Sequence, residues 1–283
     1  MNSTQMNFSH ILITRPRQEA LELADMLATM PAEIPMQAKI IIIPAHTFLP
    51  VKLLPDQLGQ LQAASAKPEP MLLIFTSPRA VEFGLSQIPM EVVRAARVAA
   101  IGPSTSALLE QSGIAVSIQP RQGYTSEDLI GELALTPPLN KAKGSVAVFI
   151  LAAPGGRTLI KEGLQAMGYS VQTLIVYESK PAELDVAAVS SIEGAIEQAQ
   201  RILSLWTSAN AMTALSERLP ARCWRKLCEG EWLVISDRLA QLARSWNPAK
   251  IHTTRGPANE DIARAVQALF APRQKAALPS SHG

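Results

Sequence analysis

Hydroxyl side chains follow apolar segments at several points along the chain, each time just before a segment with helical character. The clearest case is residues 71–81, MLLIFTSPRAV, in which an apolar run leads into Thr76, Ser77 and Pro78. Serine is a favoured helix N-cap, and proline fits the first helical position because its missing N–H would be unpaired there. Residues 202–212, ILSLWTSANAM, repeat this unit about half a chain later. The repeat predicts two similar lobes.

Turns of this kind can bind anions. The N–H groups at a helix N-terminus are unpaired, and each terminus stabilises a nearby anion by about 0.3–1 kcal/mol. In open α/β sheets, ligands bind outside the carboxyl ends of the strands, where such turns lie. The chain has seven such turns, at Thr14-Arg15, Thr76-Ser77, 102–105, Tyr124-Thr125-Ser126, 155–157, Thr207-Ser208 and Ser236. Together they predict a cleft between the lobes for a ligand with several carboxylates, although each hydroxyl could instead only cap its helix.

Tyr177 is the candidate for proton transfer. It is predicted to end a strand, 171–177, where the chain crosses back to the first lobe, near the hinge. A phenol has an unperturbed pKa of about 10 and can donate a proton to a leaving group. The alternative is a strand-end tyrosine that only packs on a neighbour. Tyr124 is a similar candidate with a less favourable position.

The sequence lacks the motifs of several other enzyme classes. The sequence has no GxSxG, GxxxxGK[ST] or HExxH motif, and no GxGxxG motif after a strand. The four histidines share no spacing, and Cys223 and Cys228 match no zinc pattern. We therefore predict no metal site and no histidine-activated nucleophile, and we interpret the cysteines as reduced packing residues.

Bulk composition excludes two classes of partner. The 283 residues are 47% hydrophobic and 18% charged, with a net charge of +2 and no dense Lys/Arg cluster, which argues against nucleic-acid binding. The longest apolar runs are far below the ~20 residues of a membrane span, and the N-terminus has no signal-peptide pattern. A soluble cytoplasmic protein is the expectation.

Apolar strands alternate with helical segments along the whole chain, which predicts an α/β protein with parallel sheets. Two crossings, near residues 45–55 and 178–181, predict that one lobe is inserted in the other. The predicted first lobe is 1–45 with 179–271, the inserted second lobe is 46–178, and 272–283 form a flexible tail.

Six stretches in this order resemble the uroporphyrinogen-III synthase family, over nearly the whole chain from 11 to 269. They are LITRP (12–16), FTSPRAVEF (75–83), VAAIGPSTSALLEQSG (98–113), GYTSEDL (123–129), VQTLIVYES (171–179) and TSANAM (207–212). The resemblance implies two flavodoxin-like lobes, joined by a two-stranded connector, with the active site in the cleft between them.

It also implies a cyclising lyase of tetrapyrrole synthesis that acts on hydroxymethylbilane without metal or cofactor. Water is lost to give an azafulvene cation, and ring D is inverted through a spiro intermediate to give uroporphyrinogen III. The preceding enzyme, hydroxymethylbilane synthase, is a possible transient partner.

By the same resemblance Tyr177 assists the loss of hydroxide, and the family's carboxylate-binding positions fall on several of the turns. Arg15 and Arg157 are added as charge partners. The candidate substrate-binding residues are Arg15, Thr76, Ser77, Gly102, Thr105, Tyr124, Thr125, Gly156, Arg157, Ser208, Ala209 and Ser236. This chain has Ile235-Ser236-Asp237-Arg238 where many members have a Gly-x-Thr-Thr turn. Asp237 would repel a carboxylate unless it caps its helix.

Two alternatives remain from the residues alone. One is a two-lobed binding module that closes on an anionic metabolite without catalysis. The other is a carbohydrate- or phosphate-transferring enzyme, which the lack of an acidic pair or a phosphate loop disfavours.

Overall fold

A computed structural model describes residues 8–29, 38–69, 71–121, 123–136, 146–155 and 158–270. The chain divides into two compact units. Unit 1 comprises residues 1–47 and 180–283, and unit 2 comprises residues 48–179. The predicted tail, 272–283, lies outside the described residues.

Strands and helices alternate along the described chain, as predicted. The strands are β1 (His10–Ile13), β2 (Lys39–Ile42), β3 (His46–Pro50), β4 (Leu72–Phe75), β5 (Arg97–Ala100), β6 (Ala147–Ala152), β7 (Ser170–Ile175), β8 (Tyr177–Pro181), β9 (Ile202–Trp206), β10 (Glu231–Val234) and β11 (Lys250–Thr253). The helices are α1 (Arg17–Thr29), α2 (Pro55–Ser65), α3 (Pro78–Leu85), α4 (Met90–Arg94), α5 (Pro103–Gln111), α6 (Ser126–Leu135), α7 (Leu159–Ala166), α8 (Val186–Glu197), α9 (Ala209–Arg218), α10 (Ala221–Cys228), α11 (Asp237–Ala243) and α12 (Asn259–Phe270).

The sheet of unit 1 has the strand order β11-β10-β9-β1-β2, and all its neighbours are parallel. When the five strands of this unit are renumbered 1 to 5 in chain order, the order across the sheet is 2-1-3-4-5, as in flavodoxin-like folds. The register places His10 between Lys39 and Ile202. The strand order reverses between β1 and β9, so the turns after these strands lie at the switch point, where ligands bind in such sheets.

The sheet of unit 2 has the order β5-β4-β6-β7, again parallel throughout. Its order reverses between β4 and β6. The strand predicted at 116–118 is reduced to one parallel bridge, between Ile118 and Ala99. Both sheets confirm the predicted α/β class with parallel strands.

Both sheets are buried on their two faces. In β4, Leu72 and Ile74 belong to one hydrophobic cluster of unit 2, and Leu73 and Phe75 belong to another. All four side chains are 0% exposed. A continuous apolar run such as LLIF is the pattern expected for a parallel strand that is covered by helices on both sides.

Strands β3 and β8 pair as a two-stranded sheet, and the chain passes between units 1 and 2 within these strands. The predicted strand 171–177 is wrong at its end, since β7 stops at Ile175 and Tyr177 opens β8. Val176 explains the break: its N–H donates to Ala152 O (3.1 Å) at the end of β6, but its carbonyl accepts from Val51 N (3.0 Å). The backbone therefore changes sheets at Val176, directly before Tyr177.

Candidate active site

A cavity of about 420 Å³ opens at the carboxyl ends of β4 and β6 in unit 2, at the point where the strand order reverses. Apolar side chains such as Ile101, Ile150 and Ile175 form part of its wall. Six residues with hydroxyl groups also line it: Thr76, Ser77, Ser126, Thr158, Thr173 and Tyr177. An apolar wall with several convergent polar groups is the usual make-up of a small-molecule site.

The turn after β4 is fixed by hydrogen bonds to the neighbouring strand and to its own helix. Thr76 Oγ1 donates to Leu151 O at 2.9 Å, and Thr76 N donates to the same oxygen at 3.3 Å. Ser77 is the N-cap of α3, and its Oγ accepts from Ala80 N at 3.1 Å. Both predicted residues therefore have structural roles, and both also line the cavity.

Tyr177 lies against this turn. Its hydroxyl oxygen is 3.0 Å from Ser77 Oγ, and either oxygen can be the donor. Its ring stacks on Phe83, with centroids 5.7 Å apart and an interplanar angle of 18°, and meets Phe48 edge-on at 6.0 Å. The residue is only 9% exposed. The phenol is thus held in one orientation by two rings and one hydrogen bond.

This arrangement allows proton donation. Ser77 Oγ already accepts from Ala80 N, and it can use its own proton to donate to the Tyr177 oxygen. In that state the proton of Tyr177 is available to a third oxygen in the cavity. A buried, oriented phenol with a hydroxyl partner is suited to general acid catalysis.

Gln87 ties the backbone around Tyr177 together, and sequence reasoning missed it. Its Nε2 donates to Val51 O and to Phe83 O, each at 3.1 Å, and to Val176 O at 3.5 Å. Its Oε1 accepts from Leu53 N at 2.8 Å. One side chain thereby links the segment after β3, the helix that carries Phe83 and the residue before Tyr177.

Two predicted residues, Gly102 and Thr105, lie at the start of α5. Gly102 is the N-cap, with extended backbone, and accepts from Thr105 N at 3.1 Å. Both are buried, and Thr105 is 1% exposed. Tyr124, by contrast, is 60% exposed and packs against Gly102, where an added Cβ would lie 3.4 Å from Tyr124 Cβ. None of the three is among the residues that line the cavity.

Thr125 forms a reciprocal cap with Asp128 at the start of α6. Its Oγ1 accepts from Asp128 N at 3.2 Å and donates to Asp128 Oδ2 at 2.6 Å, and Thr125 N donates to the same oxygen at 2.9 Å. Hydrogen bonds from the hydroxyl and the backbone of Thr125 lower the pKa of Asp128. The hydroxyl of Thr125 is therefore occupied locally, whereas the next residue, Ser126, lines the cavity.

The remaining described candidates belong to unit 1 and lie at the carboxyl edge of its sheet. Ser208 caps α9 by accepting from Ala211 N at 3.1 Å, Ala209 is the first residue of that helix, and Ser236 caps α11 by accepting from Leu239 N at 3.3 Å. Asp237 follows as the first, exposed residue of α11. Each serine has the cap geometry of Ser77.

Arg15 also belongs to unit 1, and it is held by the start of α12. Its Nη1 donates to Asn259 Oδ1 at 2.6 Å and to Pro257 O at 3.3 Å. The preceding residue, Thr14, donates to Leu205 O at 2.7 Å, which repeats the contact of Thr76 in unit 2. The predicted residues Gly156 and Arg157 lie outside the described residues.

Metal ligands do not cluster in the part of the chain that the structure describes, where no group of three or more His, Cys, Asp or Glu side chains could hold an ion. Within the same ranges, no helix combines the length and the apolarity needed to cross a bilayer.

Comparison with known proteins identifies the family. Residues 36–198, more than half of the chain, match the family model described as uroporphyrinogen-III synthase HemD. The chain belongs to the uroporphyrinogen-III synthase family. The family membership inferred from the six sequence stretches is thereby confirmed.

Relatives within the uroporphyrinogen-III synthase family match almost end to end. The Escherichia coli K12 protein named uroporphyrinogen-III synthase is 28% identical over 260 residues, which cover 91% of this chain and 99% of that protein. A Helicobacter pylori 26695 structure titled uroporphyrinogen-III synthetase superposes with a TM-score of 0.53 at 15% identity. A mutant uroporphyrinogen III synthase from Thermus thermophilus gives a TM-score of 0.51 at 18% identity. Each structural match covers 92% of this chain and 99% of the other, and supports the fold.

Proposed function

We propose that this chain converts hydroxymethylbilane to uroporphyrinogen III, with loss of water and inversion of ring D, as a cyclising hydro-lyase. Family membership supports the reaction class. The observation that carries the residue assignment is the Tyr177–Ser77 hydroxyl pair, which borders a hydroxyl-rich cavity at the switch point of unit 2. Both residues lie within the segment that matches the family.

Tyr177 is proposed as the proton donor in the first step. The bond between the hydroxymethyl carbon and its oxygen breaks, the electron pair stays on oxygen, and the proton of Tyr177 completes a water molecule. Ser77 stabilises the resulting phenolate by donating to its oxygen. The substituted carbon of ring D then attacks the azafulvene cation to form the spiro intermediate. After fragmentation and re-closure, the proton released when the last pyrrole regains aromaticity returns to Tyr177, so the balance is the loss of one water.

Control of conformation is the second task of the site. Hydroxymethylbilane closes spontaneously to the uninverted isomer, so a protein must hold the chain in the geometry that leads to ring D inversion. Holding reacting groups in place is among the largest contributions that a binding site can make to a rate. The hydroxyls and helix N-termini around the cavity are proposed to do this by binding acetate and propionate side chains.

The further substrate-binding residues follow from their positions. We propose the turns of unit 2 that contain Thr76, Ser77, Gly102, Thr105, Tyr124, Thr125, Gly156 and Arg157 for some of the carboxylates. The turns of unit 1 that contain Arg15, Ser208, Ala209 and Ser236 are proposed for others. The support is that the described members of both sets lie at or beside helix N-termini, and that all of them except Tyr124 and Thr125 lie in or next to the turn after a parallel strand.

The supply of the substrate and the compartment of the reaction are also proposed. Hydroxymethylbilane is unstable, so a supply from hydroxymethylbilane synthase through a transient contact would shorten its free lifetime. We place the enzyme in the cytoplasm, because Cys223 and Cys228 are free thiols, as expected in a reducing compartment.

The identity of the product tests the proposal. Freshly made hydroxymethylbilane is incubated with the protein, and the products are oxidised to porphyrins and separated by chromatography. Type III product above the level of a no-protein reaction is the expected result. Binding of hydroxymethylbilane with only type I product would overturn the enzyme assignment in favour of a non-catalytic binding module, which the family match does not favour.

A further inference from the structure

The described lining of the unit 2 cavity carries a positive charge and no negative charge. Among its described lining residues, Lys161 is the one cation, and no aspartate or glutamate is present. The other polar lining groups are neutral hydroxyls. A cavity with one ammonium group and no acid attracts an anion, and its apolar wall strengthens that attraction because it lowers the local dielectric constant.

Lys161 has no counter-ion in the part of the chain that the structure describes, and no hydrogen bond to a described residue either. It is half-buried. Exposed lysines are usually solvated or loosely paired. The ammonium group of a half-buried lysine at the wall of a ligand-sized cavity can instead pair with an anionic group of a bound ligand.

The helix that carries Lys161 is firmly placed. Lys161 is the third residue of α7, between the buried Ile160 and Leu164. Helix α7 packs closely on α6 at Gly163, where an added Cβ would lie 2.8 Å from Ile130 Cδ1. The base of the Lys161 side chain is therefore fixed relative to the cavity wall, and only its flexible methylene stem has to be ordered when a ligand binds.

We propose that Lys161 is a specificity-determining residue that pairs with one carboxylate of the tetrapyrrole substrate in the cavity of unit 2. This inference rests on the proposed function and adds a cation to the neutral hydroxyls that line this cavity. Tyr177 and Ser77 act on the leaving hydroxyl, whereas Lys161 binds a side chain that does not react. Its effect is therefore expected on affinity rather than on the chemical step.

Lys161→Met tests the inference, with Lys161→Gln as a second variant in case the first folds poorly. The probe for binding is uroporphyrin III, the stable oxidised product, whose Kd is measured by calorimetry at ~0.1 M salt. Loss of one charge-assisted hydrogen bond predicts a Kd about tenfold higher in either variant. Lys161→Arg keeps the charge and is expected within about threefold of wild type. In turnover assays with hydroxymethylbilane, Lys161→Met is expected to raise KM by about tenfold and to leave kcat within about twofold.

Lys67→Met is the matched control, since Lys67 is an exposed lysine of unit 2 that does not line the cavity. Its Kd and KM should equal those of wild type. The tenfold difference at Lys161 should shrink in ~1 M salt, where charges are screened within about 3 Å. An unchanged Kd in both Lys161→Met and Lys161→Gln overturns the inference, and so does a fall in kcat with an unchanged KM. A wild-type protein that makes no type III product, but loses uroporphyrin III affinity on Lys161→Met, would remove the proposed function and keep Lys161 as an anion-binding residue.

Discussion

The hydroxyl oxygen of Tyr177 lies 3.0 Å from Oγ of Ser77, a residue 100 positions earlier in the chain. Ser77 belongs to the turn that follows β4, and Tyr177 opens β8 after the chain has left β7. The pair joins the helix-capping turn at the centre of one sheet to the strand that returns toward unit 1. Its geometry makes Ser77 both a helix cap and a partner of the proposed acid.

Two variants of Ser77 separate these two roles. Ser77→Ala removes the cap and the partner of Tyr177, whereas Ser77→Gly removes the same hydroxyl but remains a tolerable N-cap. The expected loss of stability is about 1 kcal/mol for Ser77→Ala and a few tenths for Ser77→Gly. Both should lower kcat to a similar extent, by about tenfold. Chemical denaturation and turnover with hydroxymethylbilane measure the two effects. If kcat falls in Ser77→Ala but stays at the wild-type value in Ser77→Gly, Ser77 is only a helix cap.

Gln87 is predicted to stabilise the backbone around Tyr177. Gln87→Leu is similar in size but leaves Leu53 N, now 2.8 Å from Gln87 Oε1, without its acceptor. Leaving a partly buried donor unpaired costs about 1–3 kcal/mol, so urea denaturation should show a loss in that range. Gln62→Leu, on an exposed position of α2, should stay within about 0.5 kcal/mol of wild type. Equal stability of the two variants would contradict the role given to Gln87.

Gly84 and Gly59 form a matched pair that tests the packing of α3 on β6. A Cβ at Gly84 would overlap Leu151 Cδ2, which is fully buried on β6, whereas a Cβ at Gly59 would meet nothing within 4 Å. Gly84→Ala should destabilise by about 1–3 kcal/mol through overpacking. Gly59→Ala should stabilise by about 0.5–1 kcal/mol, because alanine is the better helix former in α2. Thermal unfolding checks both, and a stabilising Gly84→Ala would show that α3 is not packed on β6 as described.

His10 is predicted to make unit 1 less stable in mild acid. Burial and, to a smaller extent, the charge of Lys39 lower the pKa of His10 below its ordinary value of 6.5. The unfolded chain therefore takes up a proton near pH 6.5 that the folded His10 resists, so stability falls as the pH drops from 6.5 through the lower folded pKa. Urea denaturation at pH 7.5 and pH 5.5 should show a smaller loss for His10→Gln than for wild type. The same loss in both proteins would remove His10 as a contributor.

Local signals made much of this fold predictable. The apolar run before Ser77 and the proline after it specify a buried strand and a capped helix within a few residues. At Ser208 and Ser236 an apolar run and a capping serine do the same without a proline. The alternation of such units was enough to predict parallel α/β sheets. The short helices α4 and α10 were not predicted, because each follows a proline N-cap, Pro89 or Pro220, and lacks the serine cap that signals α3, α9 and α11.

Contacts between distant segments were not predictable from the sequence. Residues 171–177 look like one strand, and the break at Val176 depends on a hydrogen bond from Val51, far earlier in the chain. Gln87 and Lys161 are ordinary helical residues by sequence, and their roles depend on which segments the fold brings next to them. Tyr177 was singled out for its position at a crossing, but its partners Ser77, Phe83 and Phe48 appeared only in the structure.

Tyr177 is proposed to donate the proton that completes the leaving water in the cyclisation of hydroxymethylbilane. The most direct test is the rate of type III formation by Tyr177→Phe, which keeps the ring between Phe83 and Phe48 but removes the hydroxyl. Tyr169→Phe, at a buried tyrosine that does not line the cavity, is the control. We predict a fall in kcat of about 100-fold or more for Tyr177→Phe, a KM within about threefold of wild type, and mainly type I product from spontaneous closure. Formation of type III product by Tyr177→Phe at the wild-type rate would contradict the role of Tyr177 as the proton donor.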